Sequence, residues 1–561
     1  MPKSGDQSFS ALFHIADAQS RAIQPKKEME ALLDAKDTSA AVQALSPMAF
    51  YDLYHAVGPG DAGVLMAYAS SEQVQNCLDL DIWRDDQMQD DQIAPWVEQM
   101  LALPDEKFAE FWRELDPEIM ALYLHRNVQL YVSENKDDEV DIPEDAGQNV
   151  AQTPDFSYWV AYPEDPDKAE LLRQLIDRLY AVLGVEQAWS TLESMHWEME
   201  SDLEENAYRF RTERIREYGY MPRDEAAAIF AKVSVSREVD EIRHFTDADL
   251  YVKPYPSSAH LDTAIARLDE SKTAGCYFES MLQHVANLDQ IRVQLYAVAQ
   301  QIATFDGFQP HETEGFDDSM ILAVANINLG LEYASGRDDA LAIQILHHVP
   351  LHRLCTLGYN VTLELQHKAK LLVSRGHLSI IEDSQTSLLT NAQRDAIAGM
   401  LQERPRPAES TLTPFISADD IREGAAVIAD VATRELFYGE GLHKTKDDIS
   451  LLAYTHDVIQ GVENINFDNV AVTFLTRKYL KADDAWNVFT TKSLPHRADV
   501  LKAIQFSEIR PLFKSNIPES SEIALRRFAS QLQALVNENW PETEDLPDPQ
   551  LVNCIVIAED D

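Results

Sequence analysis

Short apolar runs with helical spacing, each opened by a small polar residue or Pro, follow one another in the first part of the chain. Ser46-Pro47, Pro104-Asp105 and Asp116-Pro117 are typical helix starts. A polar side chain there caps the first free amides, and Pro suits the first helical turn. Ser70 with Gln73 fits a capping box. We therefore expect a succession of similarly built helices, as in a helical repeat.

Helical periodicity continues through the rest of the sequence. Asp165-Pro166 opens a further run, and Ser417 with Asp420 opens another. Residues 278–305 are apolar at every third or fourth position, which predicts one long helix whose stripe enters a core or forms a coiled-coil face. Alternating runs are few, and 551–557 could form a short strand or an added segment. The predicted fold class is therefore mostly α.

Changes in composition divide the chain into domains and linkers. The self-repelling acidic run near 134–145 and the Pro-rich stretch at 401–415 are the clearest joints. The predicted segments are an N-terminal lead-in at 1–45, a helical-repeat-like domain at 46–132, an acidic linker at 133–155, a central α-helical domain at 156–400, a Pro-rich linker at 401–415, a C-terminal α-helical domain at 416–541 and an acidic tail at 542–561.

Composition narrows the class of partner. Hydrophobic residues make up 45% of the 561 positions, which supports buried cores. The chain has 95 Asp and Glu against 47 Lys and Arg, a net charge of −48. Such a surface repels nucleic-acid phosphates and anionic membranes and, if there are partners, favours basic proteins or cations. The alternative is that the acidity is only a solubility trait of the source proteome. We expect a protein partner, no nucleic acid and no membrane insertion.

Cysteine usage and the missing targeting signals indicate a compartment. Cys77, Cys276, Cys355 and Cys554 lie far apart, so neither a zinc knuckle nor a disulfide framework is expected. The first residues lack the basic and apolar regions of a signal peptide. No apolar stretch reaches the roughly 18 residues of a transmembrane helix. These features predict a cytoplasmic protein.

Common catalytic signatures are missing from the sequence. It has no Gly-Lys pair for a P-loop, no GxSxG nucleophile elbow and no HExxH zinc motif. Their absence argues against P-loop nucleotide chemistry and standard hydrolase chemistry, without excluding a site built from scattered residues.

Histidine is concentrated between residues 347 and 377. His347, His348, His352, His367 and His377 flank a predicted helix–turn–helix with Pro350 at its turn. His347 and His348 would suit a helix C-terminus, where imidazole bonds the last carbonyls. The alternative is a divalent-metal site, whose candidate ligands are His348, His352, Glu364 and His367. No other cofactor is predicted.

Three other groups of residues give weaker indications of a metal site. Glu193/His196, Glu241/His244 and Glu364/His367 have the Glu-x-x-His spacing of di-iron bundles, but chance explains such pairs in so acidic a chain. His456-Asp457 is the dipeptide of HD-type metal phosphohydrolases, with His443 and Asp468 or Asp483 as possible further ligands. The carboxylates suggested for a cation sensor are Asp79, Asp81, Asp85 and Asp86.

Basic and aromatic clusters admit structural explanations. Arg209, Arg211, Arg214 and Arg216 lie among glutamates, which favours a solvated helix with ion pairs over an anion-binding or RNA-binding face. Trp83, Trp96 and Trp112 could anchor a partner, but core packing is the simpler expectation.

Several stretches resemble known families. Leu78–Trp83, Arg113–Glu118, Asn328–Tyr333 and Leu357–Tyr359 resemble an uncharacterised bacterial family, a domain of unknown function, over roughly 40–500. That resemblance implies no catalytic residues. Leu45–Val132 also resembles the superhelical repeats of MgtE-type magnesium transporters and of the flagellar motor switch protein FliG. This second resemblance implies stacked helix pairs that act through packing and acidic faces, here without a transmembrane part.

Taken together, these patterns favour a non-enzymatic cytoplasmic scaffold or adaptor that binds other proteins through helical surfaces. We expect partner capture to reside in 46–132. The alternative is a metal-dependent enzyme on an α-helical fold, using the 347–377 segment or His456-Asp457.

Overall fold

A computed structural model describes residues 9, 25–132, 142, 149–217, 220–244, 265, 268–269, 271–308, 312–375, 388–459, 461, 464–514, 517–540 and 548–559. The chain forms two compact units. The first comprises Met1–Val233, Arg237–Ile327 and Ala334–Thr356, and the second comprises Ser234–Ser236, Asn328–Tyr333 and Leu357–Asp561. The division falls within the predicted central domain at 156–400.

Helices dominate the described residues, which confirms the predicted fold class. In chain order they are α1 Pro25–Leu33, α2 Thr38–Gln43, α3 Pro47–Val57, α4 Pro59–Ala62, α5 Ser71–Asp81, α6 Asp90–Leu101, α7 Asp105–Glu114, α8 Pro117–Asn127, α9 Pro166–Arg178, α10 Val185–Trp197, α11 Glu200–Glu217, α12 Arg223–Ala226, α13 Val235–Arg243, α14 Tyr277–Leu282, α15 Leu288–Asp306, α16 Thr313–Ser335, α17 Asp339–His348, α18 Leu351–Arg375, α19 Asn391–Leu401, α20 Ala418–Leu436, α21 Lys446–Tyr454, α22 Phe467–Tyr479, α23 Arg497–Ala503, α24 Phe506–Ile509 and α25 Glu519–Asn539.

Two of the three helix starts expected near the N-terminus have the predicted polar cap, whereas α7 begins after Pro104 without a side-chain cap. The Ser46 hydroxyl accepts from the Ala49 amide ahead of Pro47, and Asp116 caps α8 ahead of Pro117. Ser70 with Gln73 and Ser417 with Asp420 both form complete capping boxes. These local hydrogen bonds satisfy amides that have no partner inside the helix.

The prediction of one helix over 278–305 is wrong. The stretch forms α14 and α15, separated at 283–287. Asn287 leaves helical geometry at φ −116° and ψ 72°, and its side chain accepts from the Gln290 amide. The apolar spacing continues across the break because both helices bury a face, and periodicity alone does not report such a cap.

Strands are short and few among the described residues. They are β1 Trp83–Arg84, β2 Gln87–Met88, β3 Gln129–Tyr131, β4 Val150–Gln152, β5 Trp159–Ala161, β6 Phe489–Thr490 and β7 Ile557–Ala558. β1 and β2 form an antiparallel pair, β3-β5-β4 form an antiparallel sheet, and β6 and β7 pair in parallel. Of the stretch 551–557, for which a short strand was possible, only Ile557 belongs to a strand, β7, while Leu551 ends a short helical turn. Strand β4 lies in the stretch assigned to an acidic linker.

The predicted Pro-rich linker at 401–415 packs against α19. The Arg406 amide donates to the Gly399 carbonyl at 3.0 Å, and the Glu409 amide donates to the Asp395 carbonyl at 2.9 Å. Asp395 also accepts from the amide and hydroxyl of Ser410 at 2.8 and 2.6 Å. These residues therefore belong to the packed structure of the second unit.

A charged cluster lies inside the first unit. Asp79 and Asp116 are buried and both bind Arg214 of α11. Arg211, one turn earlier, donates to the Asp79 carbonyl at 2.7 Å. The expectation of a solvated basic helix is therefore wrong for Arg211 and Arg214, although Arg216 does form an exposed pair with Glu225. The acceptors, which are the Asp79 carbonyl for Arg211 and the Asp79 and Asp116 carboxylates for Arg214, are distant in sequence, so the residues around the arginines do not indicate these contacts.

Within the described residues, no helix combines the length and apolar character needed to cross a membrane.

Candidate protein-docking surface

Five apolar side chains of the first unit, close in sequence, stay exposed to solvent. Phe156 is 75% exposed, Trp197 76%, Met199 64%, Val185 43% and Trp189 38%. Val185, Trp189 and Trp197 belong to α10, on which Val185 and Trp189 are one turn apart. We name these five residues the aromatic surface. Burial of aromatic rings is strongly favourable, so rings left in solvent indicate a candidate interaction site.

Phe156 projects from the turn between β4 and β5. Its φ of 63° lies in the left-handed region, which costs a residue with a Cβ roughly 1–2 kcal/mol. The Phe156 amide donates to the Thr153 carbonyl, and the Thr153 amide donates to the Tyr158 carbonyl, both at 2.9 Å. Strained backbone of this kind persists only where its surroundings impose it, and it clusters at functional positions.

Asp155 joins this turn to α10. Its Oδ1 accepts from the Thr153 hydroxyl at 2.8 Å, and its Oδ2 accepts from the Trp189 indole at 2.7 Å. Burial acts to raise the pKa of Asp155, but hydrogen bonds from Ser157, Thr153 and Trp189 outweigh it and lower the pKa to about 2. The carboxylate is therefore ionised at neutral pH and fixes Trp189 relative to the turn.

Acidic residues flank Val185, Trp189, Trp197 and Met199 along the chain. Between Val185 and Glu205 the sequence contains no Lys or Arg. Its acidic residues there are Glu186, Glu193, Glu198, Glu200, Asp202, Glu204 and Glu205. Arg126 pairs with Glu200 and Glu204 at 2.7 and 2.6 Å, and the Tyr158 hydroxyl donates to Glu193 at 3.2 Å. The excess of negative charge complements a basic binding partner.

A family model described as a family of unknown function (DUF6178) matches residues 8–558. The chain belongs to this family. The match covers nearly the whole chain and confirms the resemblance to an uncharacterised family. Comparisons with curated proteins and with solved structures find no match. The resemblance of Leu45–Val132 to the MgtE and FliG repeats therefore has no support beyond the residues themselves.

The predicted metal ligands lie on two successive helices. His347 and His348 end α17, as expected, and His352, Glu364 and His367 lie on α18. A helical rise of 1.5 Å per residue places Glu364 about 18 Å along the helix from His352, too far for both to bind one ion. Burial lowers the pKa of His352, and the neighbouring Arg353 lowers it further. His377 lies outside the described residues.

The described part of the chain contains no group of three or more His, Cys, Asp or Glu side chains placed to hold a metal ion. Because of their separation along α18, His352 and Glu364 do not share one ion, and metal binding by other combinations of His348, His352, Glu364 and His367 stays a prediction. His456 and Asp457 lie in the irregular segment after α21, and both oxygens of Asp468 accept from Arg434 at 2.8 and 2.7 Å. This arrangement gives no support to an HD-type centre.

The carboxylates considered for cation sensing have protein partners. Asp79 binds Arg214, and Asp85 accepts from Arg223 at 3.0 and 3.1 Å. Asp81 accepts from the Tyr51 hydroxyl at 2.9 Å and lies 3.0 Å from His55 Nε2. Three of the four carboxylates therefore accept hydrogen bonds from side chains of other secondary-structure elements.

Gly58, Gly60 and Gly63 have the GxGxxG spacing of a dinucleotide-binding loop. The segment follows helix α3 rather than a strand, and Gly58 ends that helix with φ 99°. The short helix α4 begins at Pro59. The glycines therefore serve a helix–helix turn, not the strand–turn–helix of a dinucleotide site.

Proposed function

We propose that this protein is a non-enzymatic adaptor that binds a basic segment of another protein through the aromatic surface. The observation that carries the proposal is the fixed display of Phe156. A ring that is three-quarters exposed stands on a strained residue whose turn is held by Thr153 and Asp155. Such preorganisation reduces the conformational entropy lost on binding.

Residue type supports the same conclusion. Trp residues are enriched among the side chains that contribute most to protein–protein affinity. Trp189 is already oriented by its hydrogen bond to Asp155 and by the edge-on ring of Tyr158, with centroids 6.4 Å apart. The basic character of the partner follows from the acidic segment between Val185 and Glu205. The location differs from the expected 46–132, since the aromatic surface lies outside that range.

Site-specific photo-cross-linking in the native host tests the proposal. A photoreactive phenylalanine analogue replaces Phe156 in one sample and Leu412 in the other. Leu412 is a matched control because it is 83% exposed and belongs to the second unit. We expect position 156 to capture one defined protein through a Lys- or Arg-rich peptide, identified by mass spectrometry, with a far smaller yield at 412. Equal yields at both positions, or capture through an acidic peptide, would contradict the proposal.

A further inference from the structure

A cavity of about 340 Å³ lies within the first unit, apart from the aromatic surface. Residues from α5, β1, α11 and α15 line it, together with the segments that follow α11 and α15. This volume is within the range of small-molecule sites. Gln300 and Thr304 contribute hydrogen-bonding groups to the lining, and Phe308 contributes an apolar ring.

Arg211 is one of the residues that line this cavity. Its Nε donates to the Asp79 carbonyl at 2.7 Å, and its guanidinium lies over the Trp83 ring at 5.4 Å. Among the described residues, Nη1 and Nη2 of Arg211 have no hydrogen-bond acceptor. Burial lowers the pKa of Arg211 to about 10, which leaves it charged at neutral pH. A half-buried cation whose two Nη groups have no acceptor among the described residues, and whose plane is held against Trp83, is suited to receive an anion.

The charges of the lining select the kind of anion. Arg84, Arg211 and Arg223 are balanced by three carboxylates, those of Asp85, Asp306 and Glu312. Arg223 is occupied by Asp85 and by the Phe305 carbonyl at 2.9 Å. A doubly charged phosphate would meet three like charges, whereas a single carboxylate matches the planar fork of one guanidinium. We infer that the cavity binds a small monocarboxylate through the two free Nη groups of Arg211.

Calorimetric titration of the full chain with acetate, lactate and benzoate tests this inference. We expect at least one of them to bind saturably at one site, whereas neutral benzamide gives no saturable heat. Arg211→Lys keeps a positive charge but loses the fork, so it should weaken binding at least tenfold. Arg209→Lys is the matched control on the same helix, where Arg209 is exposed, and it should leave the affinity unchanged. No binding by any of the three acids, or tighter binding of inorganic phosphate, would overturn the inference.

A second readout does not depend on how a variant folds. Phenylglyoxal modifies accessible arginines, and peptide mass spectrometry reports each position. The carboxylate that binds should protect Arg211 in the unmodified sequence and leave Arg209 reactive. Equal protection of the two, or protection of neither, would contradict the assignment of Arg211.

Discussion

Arg214 of α11 binds Asp79 of α5 through two parallel hydrogen bonds. Nε lies 2.6 Å from Oδ2 and Nη2 lies 2.8 Å from Oδ1, between residues 135 positions apart in the chain. The remaining amino group, Nη1, donates to Asp116 at 2.8 Å. Burial acts to lower the pKa of Arg214, but hydrogen bonds and charges of Asp79 and Asp116 outweigh it and raise the pKa. One guanidinium therefore compensates two buried carboxylates.

Removal of Asp79 should be costly because it leaves Arg214 and Gln75 without their buried acceptor. We expect Asp79→Ala to reduce the free energy of unfolding of the first unit by about 3 kcal/mol, measured by urea titration. Glu225→Ala is the control, because Glu225 of α12 forms an exposed pair with Arg216 of α11, and this change should cost less than about 1 kcal/mol. Similar losses for both variants would show that burial of the Asp79 pair has no special weight.

The same cluster makes a prediction about an isolated fragment of residues 46–132. That fragment keeps Asp79 and Asp116 but lacks Arg214, so two buried carboxylates lose their cation. We expect its far-ultraviolet circular dichroism to show little helix at neutral pH. A fragment of residues 46–217, which restores α11, should recover a helical spectrum. A well-folded 46–132 fragment would mean that the carboxylates are satisfied without Arg214.

Local chemistry explains what was predictable from the sequence. Ser46, Asp116 and Asp165 cap helices through amides two or three residues away, so their roles can be read from neighbouring positions. The break between α14 and α15 at Asn287 was not predicted because an apolar stripe continues on both sides of it. The pairing of Arg214 with Asp79 depends on tertiary structure, and no local pattern reports it.

The candidate site was harder to predict than the fold. Trp83 and Trp96 are 1% and 4% exposed, as expected for core residues. Trp197 differs from them only in its surroundings, and a lone sequence does not distinguish a buried Trp from an exposed one. Phe156 follows a Pro-Asp turn signal, but its positive φ becomes visible only in three dimensions. The Asp155–Trp189 hydrogen bond spans 34 residues and gives no sequence pattern.

The strained backbone of Phe156 separates its structural role from its binding role. Phe156→Gly relieves the left-handed strain and should keep or raise the free energy of unfolding, by up to about 1 kcal/mol. The same change should sharply reduce cross-linking from a photoreactive analogue placed at Trp197. Lys481→Gly is the control, because Lys481 has φ 57° and is exposed in the second unit. It should leave cross-linking unchanged. Undiminished capture by Phe156→Gly would remove this ring from the docking surface.

Gly399 allows the 401–415 segment to lie against α19. A Cβ at this position would lie 2.4 Å from the Ala408 carbonyl carbon and 2.7 Å from the Glu409 nitrogen, so backbone would have to move. We expect Gly399→Ala to destabilise the second unit by about 1–3 kcal/mol. Hydrogen exchange should show reduced protection of the Arg406 amide, which donates to the Gly399 carbonyl.

The control for this prediction is Gly60→Ala. A Cβ at Gly60 meets nothing within 4 Å, and Gly60 lies in helix α4. This change should raise stability by about 0.4–1 kcal/mol because it restricts the unfolded chain. Unaltered exchange at Arg406 in Gly399→Ala would show that the 401–415 segment docks without that close contact.

Glu435 should make the stability of the second unit depend on pH. Its Oε1 is buried without a hydrogen-bond partner among the described residues, and burial raises the pKa of Glu435 from 4.5 to about 7. Below pH 4.5 the carboxyl is protonated in both the folded and unfolded states, and the stability is fully present. Between 4.5 and 7 only the unfolded state ionises, so stability falls as pH rises, by at most about 3 kcal/mol. Partial exposure of Glu435 reduces that figure.

Glu435→Gln imitates the protonated acid at every pH. We therefore expect it to match the unmodified chain below pH 4.5 and to exceed it in free energy of unfolding by about 1–3 kcal/mol above pH 7. Denaturant titrations at a series of pH values check this difference. Glu423→Gln, at an exposed position of the same helix α20, should give a difference that does not change with pH. A constant difference for Glu435→Gln as well would mean that Glu435 is ionised in the folded state, and that a buried donor compensates its charge.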